Sequence, residues 1–220
     1  MLVAGADVWK GRWVVVVLDK GRFERALLCP TIDAAVKDAA GARVIGVDMP
    51  IGLPEAGRRR PADMQARKYV GPRWQSVFLT PPADLLAAPS HRAANDLART
   101  RGWDGISAQA YGLKTMILQV QPVAARDPRL HEVHPEVSFT RANGGAPLRW
   151  PKTSWSGVAV RRSILAEHGI ALPDDLGGAG EAAVADILDA AIVAWSAGRI
   201  ASGRGEPIPA DVDRIGAIWR

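Results

Sequence analysis

Four aspartates stand at positions from which they could hold divalent metal ions. Asp7 and Asp48 each follow a short apolar segment typical of a buried strand, and Asp186 and Asp189 lie three residues apart in a later apolar segment. If the two strands are parallel neighbours, Asp7 and Asp48 lie side by side at their carboxyl ends. A helix that covers the sheet would bring Asp189, and Asp186 with it, to the same point. Crowded carboxylates repel one another, and divalent cations that prefer oxygen ligands relieve this repulsion.

Such a cluster suits the hydrolysis of phosphodiesters, because two metal ions about 4 Å apart can stabilise the attacking and the leaving oxygen. Mg²⁺ or Mn²⁺ is the expected ion, since the chain has one cysteine and four histidines and therefore few softer ligands. Each aspartate also has a structural alternative: a turn residue at Asp7, a cap at Asp48, and an exposed helix acid at Asp186 or Asp189. Each alternative explains a single aspartate at least as well as metal binding does. The metal site is predicted from the combination of the four aspartates with the positions of their elements.

A second group of ionisable residues occurs in the segment Glu132-Val133-His134-Pro135-Glu136. On a strand, Glu132 and His134 would share one face, and Pro135 would end the strand. Glu136 is then either an acid of the metal site with a catalytic role, or a residue of a helix start that the helix dipole stabilises. For His134 the functional interpretation is a proton shuttle or a phosphate contact.

The positive charge of the chain is concentrated in one segment. Between positions 58 and 73 the basic residues are Arg58, Arg59, Arg60, Arg67, Lys68 and Arg73, against the single acid Asp63. This excess equals the net charge of the whole chain, which is +5. Because arginine suits bidentate phosphate contacts, we expect Arg58, Arg59 and Arg67 to bind a nucleic-acid backbone, with Lys152 as a further phosphate contact. The alternative is a solvated basic face with no ligand.

The elements that must position these residues follow from the hydrophobic pattern. Apolar segments over 2–6, 12–18 and 22–28, separated by turns with Gly or Asp, predict a three-stranded antiparallel meander. Residues 181–200 have apolar side chains at helical spacing and predict a helix that is apolar nearly all round, and therefore packed on two faces. The other predicted elements are helices over 31–40, 62–69, 91–101, 107–123 and 156–168, strands over 43–47 and 130–133, an extended segment over 71–82, and a loop over 177–180.

This order of elements indicates the fold. A β-β-β-α-β start with acids after the first and fourth strands, followed by Asp-x-x-Asp in a late buried helix, is the pattern of RNase H-like α/β proteins. We expect a mixed central sheet, a meander plus parallel strands, flanked by helices. With 220 residues, of which 48% are hydrophobic, one domain over 1–220 is expected, with a helical and loop insertion over roughly 50–130.

Other features of the sequence argue against a disulfide-bonded, a membrane-spanning and a secreted protein. The single Cys29 excludes an intramolecular disulfide and a cysteine-based zinc cluster, and it fits a reducing, cytoplasmic environment. No stretch approaches 18 apolar residues, so no membrane span is expected. The first seven residues lack the basic start of a signal peptide and end in Asp7, so we expect them to form a strand.

The chain also resembles the domain-of-unknown-function family 429, which is grouped with predicted RNase H-like nucleases. The resemblance extends nearly end to end and implies both that fold and a nuclease site, without supplying the biological substrate. The matching stretches are Gly5-Ala6-Asp7 with Trp13, residues 46–54, Gly57-Arg58-Arg59 with Asp63, Ala66 and Arg67, Ser76-Val77-Phe78, Ser107-Ala108-Gln109, residues 132–139, Lys152, Gly157, and residues 186–190.

The chain departs from the family pattern at two places. Where the family usually has Lys-Ile-x-Glu-Val-Asp, this chain has Met116-Ile117-Leu118-Gln119-Val120-Gln121, and Val8 stands where the family often has Gly. If the acids replaced by Gln119 and Gln121 held a metal or ordered a water, the chain is weakened or inactive. If they formed a surface ion network, little is lost.

Three functions of different class were compared. The leading prediction is a metal-dependent phosphodiesterase acting on nucleic acid, with Asp7, Asp48 and Asp189 as ligands and Asp186 and Glu136 as secondary partners. The alternative is a nucleic-acid-binding or regulatory module of the same fold with a degenerate site. A sugar-kinase type of phosphotransferase ranks last, because the chain lacks an internal repeat and glycine-rich phosphate loops. DNA against RNA, endo- against exonuclease action and the oligomeric state stay open.

Overall fold

A five-stranded mixed sheet forms the centre of the computed structural model, which describes residues 1–103 and 105–220. The strands are β1 (Leu2–Trp9), β2 (Arg12–Asp19), β3 (Arg22–Cys29), β4 (Ile45–Val47) and β5 (Leu130–Glu132), in the spatial order β3-β2-β1-β4-β5. The first three strands pair antiparallel, whereas β4 is parallel to both β1 and β5. This confirms the predicted meander with added parallel strands, which is the RNase H-like arrangement.

Helices cover both faces of this sheet. In chain order they are α1 (Ile32–Asp38), α2 (Pro61–Val70), α3 (Ala83–Leu86), α4 (His91–Thr100), α5 (Ala108–Gly112), α6 (Lys114–Arg126), α7 (Pro135–Ala142), α8 (Trp155–Glu167) and α9 (Val184–Ala201). Short 3-10 helices cover Gly71–Ser76 and Gly177–Glu181, and the strands β6 (Pro207–Ile208) and β7 (Ile218–Trp219) pair antiparallel. Among the residues that the structure describes, no helix is both long and apolar enough to cross a lipid bilayer.

Both hairpins of the meander turn at a Lys-Gly pair. The φ angles are 48° at Lys10, 74° at Gly11, 49° at Lys20 and 79° at Gly21. Two consecutive positive φ values are typical of the type I′ turn, whose twist matches that of the flanking strands. Because this turn needs only two residues, β1 continues to Trp9, beyond the predicted end at residue 6.

The middle strand of the meander, β2, is buried on both faces, which explains its uninterrupted apolar sequence. Val14, Val16 and Leu18 pack on the side of α8 and α9. The alternate side chains pack on the side of α1 and α6, with Val15 and Val17 among them. The molecule therefore has two helical layers with the sheet between them.

The long helix α9 crosses the sheet at two glycines that are paired in register, Gly5 of β1 and Gly46 of β4. A Cβ atom on Gly5 would lie 2.1 Å from the backbone nitrogen of Ala194, and one on Gly46 would lie 2.7 Å from Cγ1 of Val193. Only glycine permits this close approach. Asp7 follows Gly5 by two positions, and Asp48 follows Gly46 by two positions. Each aspartate therefore lies on the same face of its chain segment as the glycine before it.

Some predicted elements are wrong or incomplete. The extended segment over 71–82 and the loop over 177–180 both contain 3-10 helices, and the helix over 107–123 is two helices, which separate at Leu113 just after Gly112. Helix α7 was not among the predicted elements, but it has Glu136 in its first turn, as one of the two interpretations of that residue expected. Pro135 is well suited to a first helical turn because it needs no N–H partner there. Strands of two residues, such as β6 and β7, carry no periodic signal in the sequence.

Between β4 and β5 the chain forms α2 to α6, which is the region expected as an insertion. Two helices of this region contribute to the main core, α6 through Ile117 and Val120 and α3 through Leu86. A separate small cluster includes Leu85, Ala94 and Trp103. The single-domain assignment over 1–220 stays a prediction.

Candidate metal centre

The structure brings the four aspartates together at the carboxyl ends of β1 and β4. Asp7, Asp186 and Asp189 each offer a carboxylate oxygen, and these oxygens all lie within 4.8 Å of one another. Asp48 is beside Asp7, because its backbone nitrogen donates a hydrogen bond of 2.9 Å to the carbonyl oxygen of Ala6. The Asp7 carboxylate also accepts a hydrogen bond of 2.6 Å from the backbone nitrogen of Val8.

Local structure explains this convergence. Asp7 lies two residues after Gly5 on β1, and Asp48 two residues after Gly46, so both strands direct an aspartate to the face that α9 covers. Asp186 and Asp189 are in the first two turns of α9, and they share a helix face with Val193, which contacts Gly46. The contact between α9 and the paired glycines therefore sets the distance between helix acids and strand acids.

Burial and mutual repulsion make this cluster costly to ionise. Asp7 is only 5% exposed, and Asp189 is only 2% exposed. Burial, followed by the charges of Asp48 and Asp189, raises the pKa of Asp7 well above its usual value. Burial and the nearby Asp189 raise the pKa of Asp48 to about 8. The pKa values of Asp186 and Asp189 are also raised, mainly by burial. A cation bound among these carboxylates would stabilise their ionised form.

One side-chain cation already contacts the cluster. The Nζ atom of Lys152 lies 2.6 Å from Oδ2 of Asp189 and 3.8 Å from Oδ1 of Asp186. Burial alone would lower the pKa of Lys152, but Asp189, Asp7 and Asp48 outweigh it and raise the pKa, so the amine is a charged ammonium. Lys152 was expected to contact phosphate, and the structure places it against the acids.

Glu136 lies next to the aspartates but is held by two arginines. Its Oε1 accepts hydrogen bonds from Nη2 of Arg161 at 2.6 Å and from Nη2 of Arg73 at 3.2 Å. The buried Arg161 is 1% exposed and lies in α8, so Glu136 joins α7, α8 and the 3-10 helix at Gly71–Ser76. Its Oε2 is buried without a hydrogen-bond partner among the described residues. The negative charge of Glu136 is therefore largely offset, unlike that of the aspartates.

His134 lies at the junction of β5 and α7. Its Nε2 is 3.2 Å from the carbonyl oxygen of Ser76, which can only accept, so the ring carries its proton on Nε2. Burial lowers the pKa of His134, and the ring is neutral. The other nitrogen, Nδ1, is buried and has no partner in the described part of the chain. Nδ1 is therefore the acceptor nitrogen of the ring, and its burial makes protonation less favourable than in water.

The basic segment over 58–73 is not one continuous surface. Arg60 is 4% exposed, and its Nη2 lies 2.7 Å from Oε1 of Glu132. Arg73 is paired with Glu136, and Arg67 donates from Nε to the carbonyl oxygen of Val77 at 2.6 Å. Arg60 and Arg73 are therefore held by carboxylates, and phosphate binding by Arg58, Arg59 and Arg67 stays a prediction. The exposed members of the segment include the side chains of Arg58, Arg59 and Lys68.

Glu132 was not among the predicted site residues, although it lines a cavity together with Asp7 and Asp48. It is 4% exposed, and burial raises its pKa to about 7 in spite of Arg60. Its Oε2 accepts a hydrogen bond of 2.7 Å from the backbone nitrogen of Ile51, which fixes the loop after β4. Glu132 ends β5, the parallel neighbour of β4. The rule that selected Asp7 and Asp48, an acid at the end of a buried parallel strand, would also have selected Glu132.

Two adjoining cavities open on either side of Lys152. One of about 270 Å³ is lined by Asp7, Asp48, Asp186 and His134, among others. The other, of about 360 Å³, has Asp48 and His134 in common with the first and also reaches Asp189 and Glu136. Each aspartate therefore lines at least one of the two cavities, and Asp48 lines both.

The two glutamines at which the chain departs from the family pattern lie away from these acids. The Gln121 side chain accepts a hydrogen bond from the backbone nitrogen of Gly52 at 2.9 Å and donates to the carbonyl oxygen of Pro50 at 2.7 Å. Gln119 is exposed on α6. Neither residue lines the two cavities at Lys152, so these substitutions remove no ligand from the aspartate cluster.

Comparison with known proteins gives a family match over nearly the whole chain. The family model described as "Protein of unknown function (DUF429)" matches residues 5–214. Among solved structures, that of RuvC from Thermus thermophilus is similar, with a TM-score of 0.32 and 14% identity, and the match covers 93% of this chain and 98% of RuvC. None of the curated proteins matches this chain.

Proposed function

The chain belongs to the DUF429 family, and from the geometry of its aspartates we propose that it is a divalent-metal-dependent phosphodiesterase that acts on nucleic acid. The observation that carries this proposal is the mutual approach, within 4.8 Å, of carboxylate oxygens from Asp7, Asp186 and Asp189. Asp48 adds a fourth carboxylate from the neighbouring strand. Hard oxygen donors in a group of this size are what Mg²⁺ and Mn²⁺ bind in proteins.

The donor set fits such an ion in spacing and in charge. Oxygens that bind one Mg²⁺ ion are at most about 4.2 Å apart, since each Mg–O distance is about 2.1 Å. The observed oxygens lie within 4.8 Å of one another, which is close to that limit. In charge, four aspartates face the ammonium of Lys152, and burial together with the charges of neighbouring aspartates raises the pKa values of Asp7 and Asp48.

When bound, Mg²⁺ or Mn²⁺ supplies a positive charge that stabilises the attacking and leaving oxygens of a phosphodiester. Asp7, Asp48 and Asp189 are the proposed ligands, and Asp186 and Glu136 the secondary partners. His134 would accept a proton through Nδ1, which has no partner among the described residues.

A nucleic-acid substrate is supported by the surface near the cavities. Arg67 stacks on Trp74 with 5.3 Å between the guanidinium carbon and the ring centroid, and the Trp74 residue is 46% exposed. An exposed aromatic ring beside arginines is typical of surfaces on which unpaired bases stack. Arg58 and Arg59, both exposed, would contact the backbone phosphates.

The proposal is tested by incubating wild type and Asp7→Asn with labelled single-stranded and duplex DNA and RNA in Mn²⁺ and in EDTA. We expect cleavage by wild type in Mn²⁺ only, and a loss of at least about 100-fold in Asp7→Asn, because asparagine keeps the shape but not the charge of the ligand. The matched control is Asp174→Asn, which removes an exposed aspartate and should cleave as wild type does. Equal cleavage by Asp7→Asn and wild type would reject the site.

The contact between Lys152 and Asp189 favours a second candidate function, a nucleic-acid-binding module that works without metal. In that case the ammonium of Lys152, and no metal ion, balances the negative charge of the aspartates. Titration of wild type with Mn²⁺ and, separately, with an oligonucleotide in EDTA discriminates the two. Oligonucleotide binding in EDTA with no detectable Mn²⁺ binding supports the module, whereas saturable Mn²⁺ binding supports the phosphodiesterase.

A further inference from the structure

A group of arginines converges on one carboxylate near the C-terminal end of α9. Nη2 of Arg141 donates a hydrogen bond of 2.6 Å to Oε1 of Glu206, and Nη2 of Arg220 lies 3.1 Å from Oε2 of the same carboxylate. Nη2 of Arg199, on α9, lies 3.5 Å from Oε1. With a rise of about 1.5 Å per residue, Arg199 is about 15 Å along the helix from Asp189. This group is therefore separate from the aspartate cluster.

Arg204 is the fourth member of this arginine cluster. Its carbonyl oxygen accepts a hydrogen bond of 2.7 Å from Nη2 of Arg199, and its own Nε donates to Oγ of Ser202 at 3.0 Å. Burial, and after it the charge of Arg141, lowers the pKa of Arg199, with Arg204 and Arg220 acting in the same direction. Among the described side chains of the cluster, four guanidinium groups have the single carboxylate of Glu206 as their acidic partner.

The guanidinium groups are held in place and have unused donors. Arg220 stacks on Tyr69 at 4.2 Å, and Arg199 stacks on Trp195 at 5.2 Å from the ring centroid. The Nε atoms of Arg141, Arg199 and Arg220 are buried with no hydrogen-bond partner among the described residues. Planar donors fixed by aromatic rings lose little conformational freedom when they bind an oxyanion.

A cavity of about 340 Å³ adjoins this cluster. Arg199, Arg204 and Ser202 line it together with Trp195, and Lys20 contributes a further basic residue. Arg204 and Lys20 are exposed, so the cationic lining is open to ligands from solvent.

We propose that this cavity, which adjoins the arginine cluster, is a binding site for a phosphate group, which Arg199, Arg204 and Lys20 would contact. The phosphate belongs either to a nucleic-acid strand or to a free phosphorylated compound. This binding needs neither a metal ion nor catalysis, so the inference does not depend on the proposed function.

The experiment measures binding of pyrophosphate and of a 12-nucleotide single strand in EDTA, by calorimetry at constant ionic strength. Arg204→Gln is the main variant, because Arg204 is exposed and its loss should leave folding intact. Arg162→Gln is the matched control, since Arg162 is an exposed arginine of α8 outside the cluster. We expect wild type and Arg162→Gln to bind alike, and Arg204→Gln to bind about tenfold more weakly, as the loss of one charge-assisted contact predicts.

The two probes distinguish the sources of the phosphate. If a free phosphorylated compound is the ligand, only pyrophosphate binding responds to Arg204→Gln, and if a nucleic-acid strand is the ligand, binding of the oligonucleotide responds. If neither probe distinguishes Arg204→Gln from Arg162→Gln, the proposal is overturned.

Glu206→Gln provides a second, independent measurement. Removal of the internal carboxylate leaves the guanidinium groups without their partner, so this variant should melt at a lower temperature and recover when pyrophosphate is added. Recovery larger than that of wild type supports the site. A Glu206→Gln protein whose melting temperature pyrophosphate does not raise beyond the wild-type effect contradicts it, because the cluster would then be a structural ion network only.

Discussion

The ammonium nitrogen of Lys152 lies 2.6 Å from Oδ2 of Asp189, at the centre of the acids that would hold a metal ion. Lys152 belongs to the loop before α8, which is tied down by Ser154: its Oγ accepts from the backbone nitrogen of Gly157 and donates to the carbonyl oxygen of Pro151. The lysine is therefore presented to the cluster by a short, fixed loop. A metal ion and this ammonium would share Asp189, so the two cations compete for the same carboxylate.

This competition predicts that Lys152→Met increases the affinity for Mn²⁺. A charge-assisted hydrogen bond contributes about 1.5–3 kcal/mol, so the dissociation constant should fall by about 10- to 100-fold when the ammonium is removed. Calorimetric titration with Mn²⁺ measures the change. Lys68→Met, which removes an exposed lysine of α2, is the control and should bind Mn²⁺ as wild type does. Unchanged or weaker binding in Lys152→Met would mean that the lysine does not compete with metal.

The pH dependence of the metal-free protein should follow from the raised pKa values. Asp48 has a pKa of about 8 and Glu132 a pKa of about 7 in the folded protein, both above the values for an unfolded chain. The folded state thus binds more protons than the unfolded state, and the free energy of unfolding decreases as pH rises. The stabilisation is complete below about pH 4 for these groups and is lost as pH rises to about 8.

Urea denaturation in EDTA at pH 5, 7 and 9 measures this slope, which Asp48→Asn should flatten because asparagine does not titrate. Addition of Mn²⁺ should reverse the trend at high pH, since the ion binds the ionised carboxylates of the folded state. A wild-type protein whose metal-free stability rises between pH 5 and 8 would contradict the assignment of Asp48 and Glu132 as groups with raised pKa values.

The close contact between α9 and β1 predicts a strong effect of Gly5→Ala. The new Cβ would lie 2.1 Å from the backbone nitrogen of Ala194, which cannot move without shifting α9. We expect a loss of about 1–3 kcal/mol or more in the free energy of unfolding, and weaker Mn²⁺ binding because Asp189 moves with the helix. Gly178→Ala is the control, since nothing lies within 4 Å of its Cβ and its effect should stay within about 0.5 kcal/mol. Similar melting curves for both variants would refute the close packing.

The site could be predicted from the sequence where local patterns determine it. Asp7 and Asp48 follow apolar strand segments, and Asp186 and Asp189 share a helix face, so strand alternation and helical periodicity locate all four. The length of β1 was underestimated because the Lys10-Gly11 turn is so short.

Other residues could not be placed from sequence because long-range packing positions them. Lys152 is in a loop without periodicity, and its partner Asp189 is 37 residues away along the chain. Arg60 and Glu132 are 72 residues apart, and arginine is rarely buried, so the pattern of charges favoured an exposed Arg60. Hydrophobic periodicity describes neighbours along one element and carries no information on such pairs.

The last prediction concerns two arginines of the basic segment, Arg58 and Arg60, which are two positions apart and which sequence alone makes equivalent. Arg58 is exposed, and its Nε lies 3.6 Å from the exposed Glu55, whereas Arg60 is 4% exposed and lies between Glu132 and Asp63. Arg58→Gln should leave stability within about 0.5 kcal/mol of wild type. Arg60→Gln should cost about 3–5 kcal/mol, because it leaves buried carboxylates without their cation.

Nucleic-acid binding should respond in the opposite way. If Arg58 contacts a phosphate of a single strand, Arg58→Gln lowers the slope of log affinity against log salt concentration by about 0.7, the contribution of one phosphate contact. Arg60→Gln, at a temperature where it is folded, should keep the wild-type slope, because its guanidinium is not available to the ligand. Urea denaturation and oligonucleotide binding at several salt concentrations give both quantities for both variants. An unchanged slope in Arg58→Gln would assign Arg58 to a solvated face, and a reduced slope in Arg60→Gln would mean that the buried ion pair opens when nucleic acid binds.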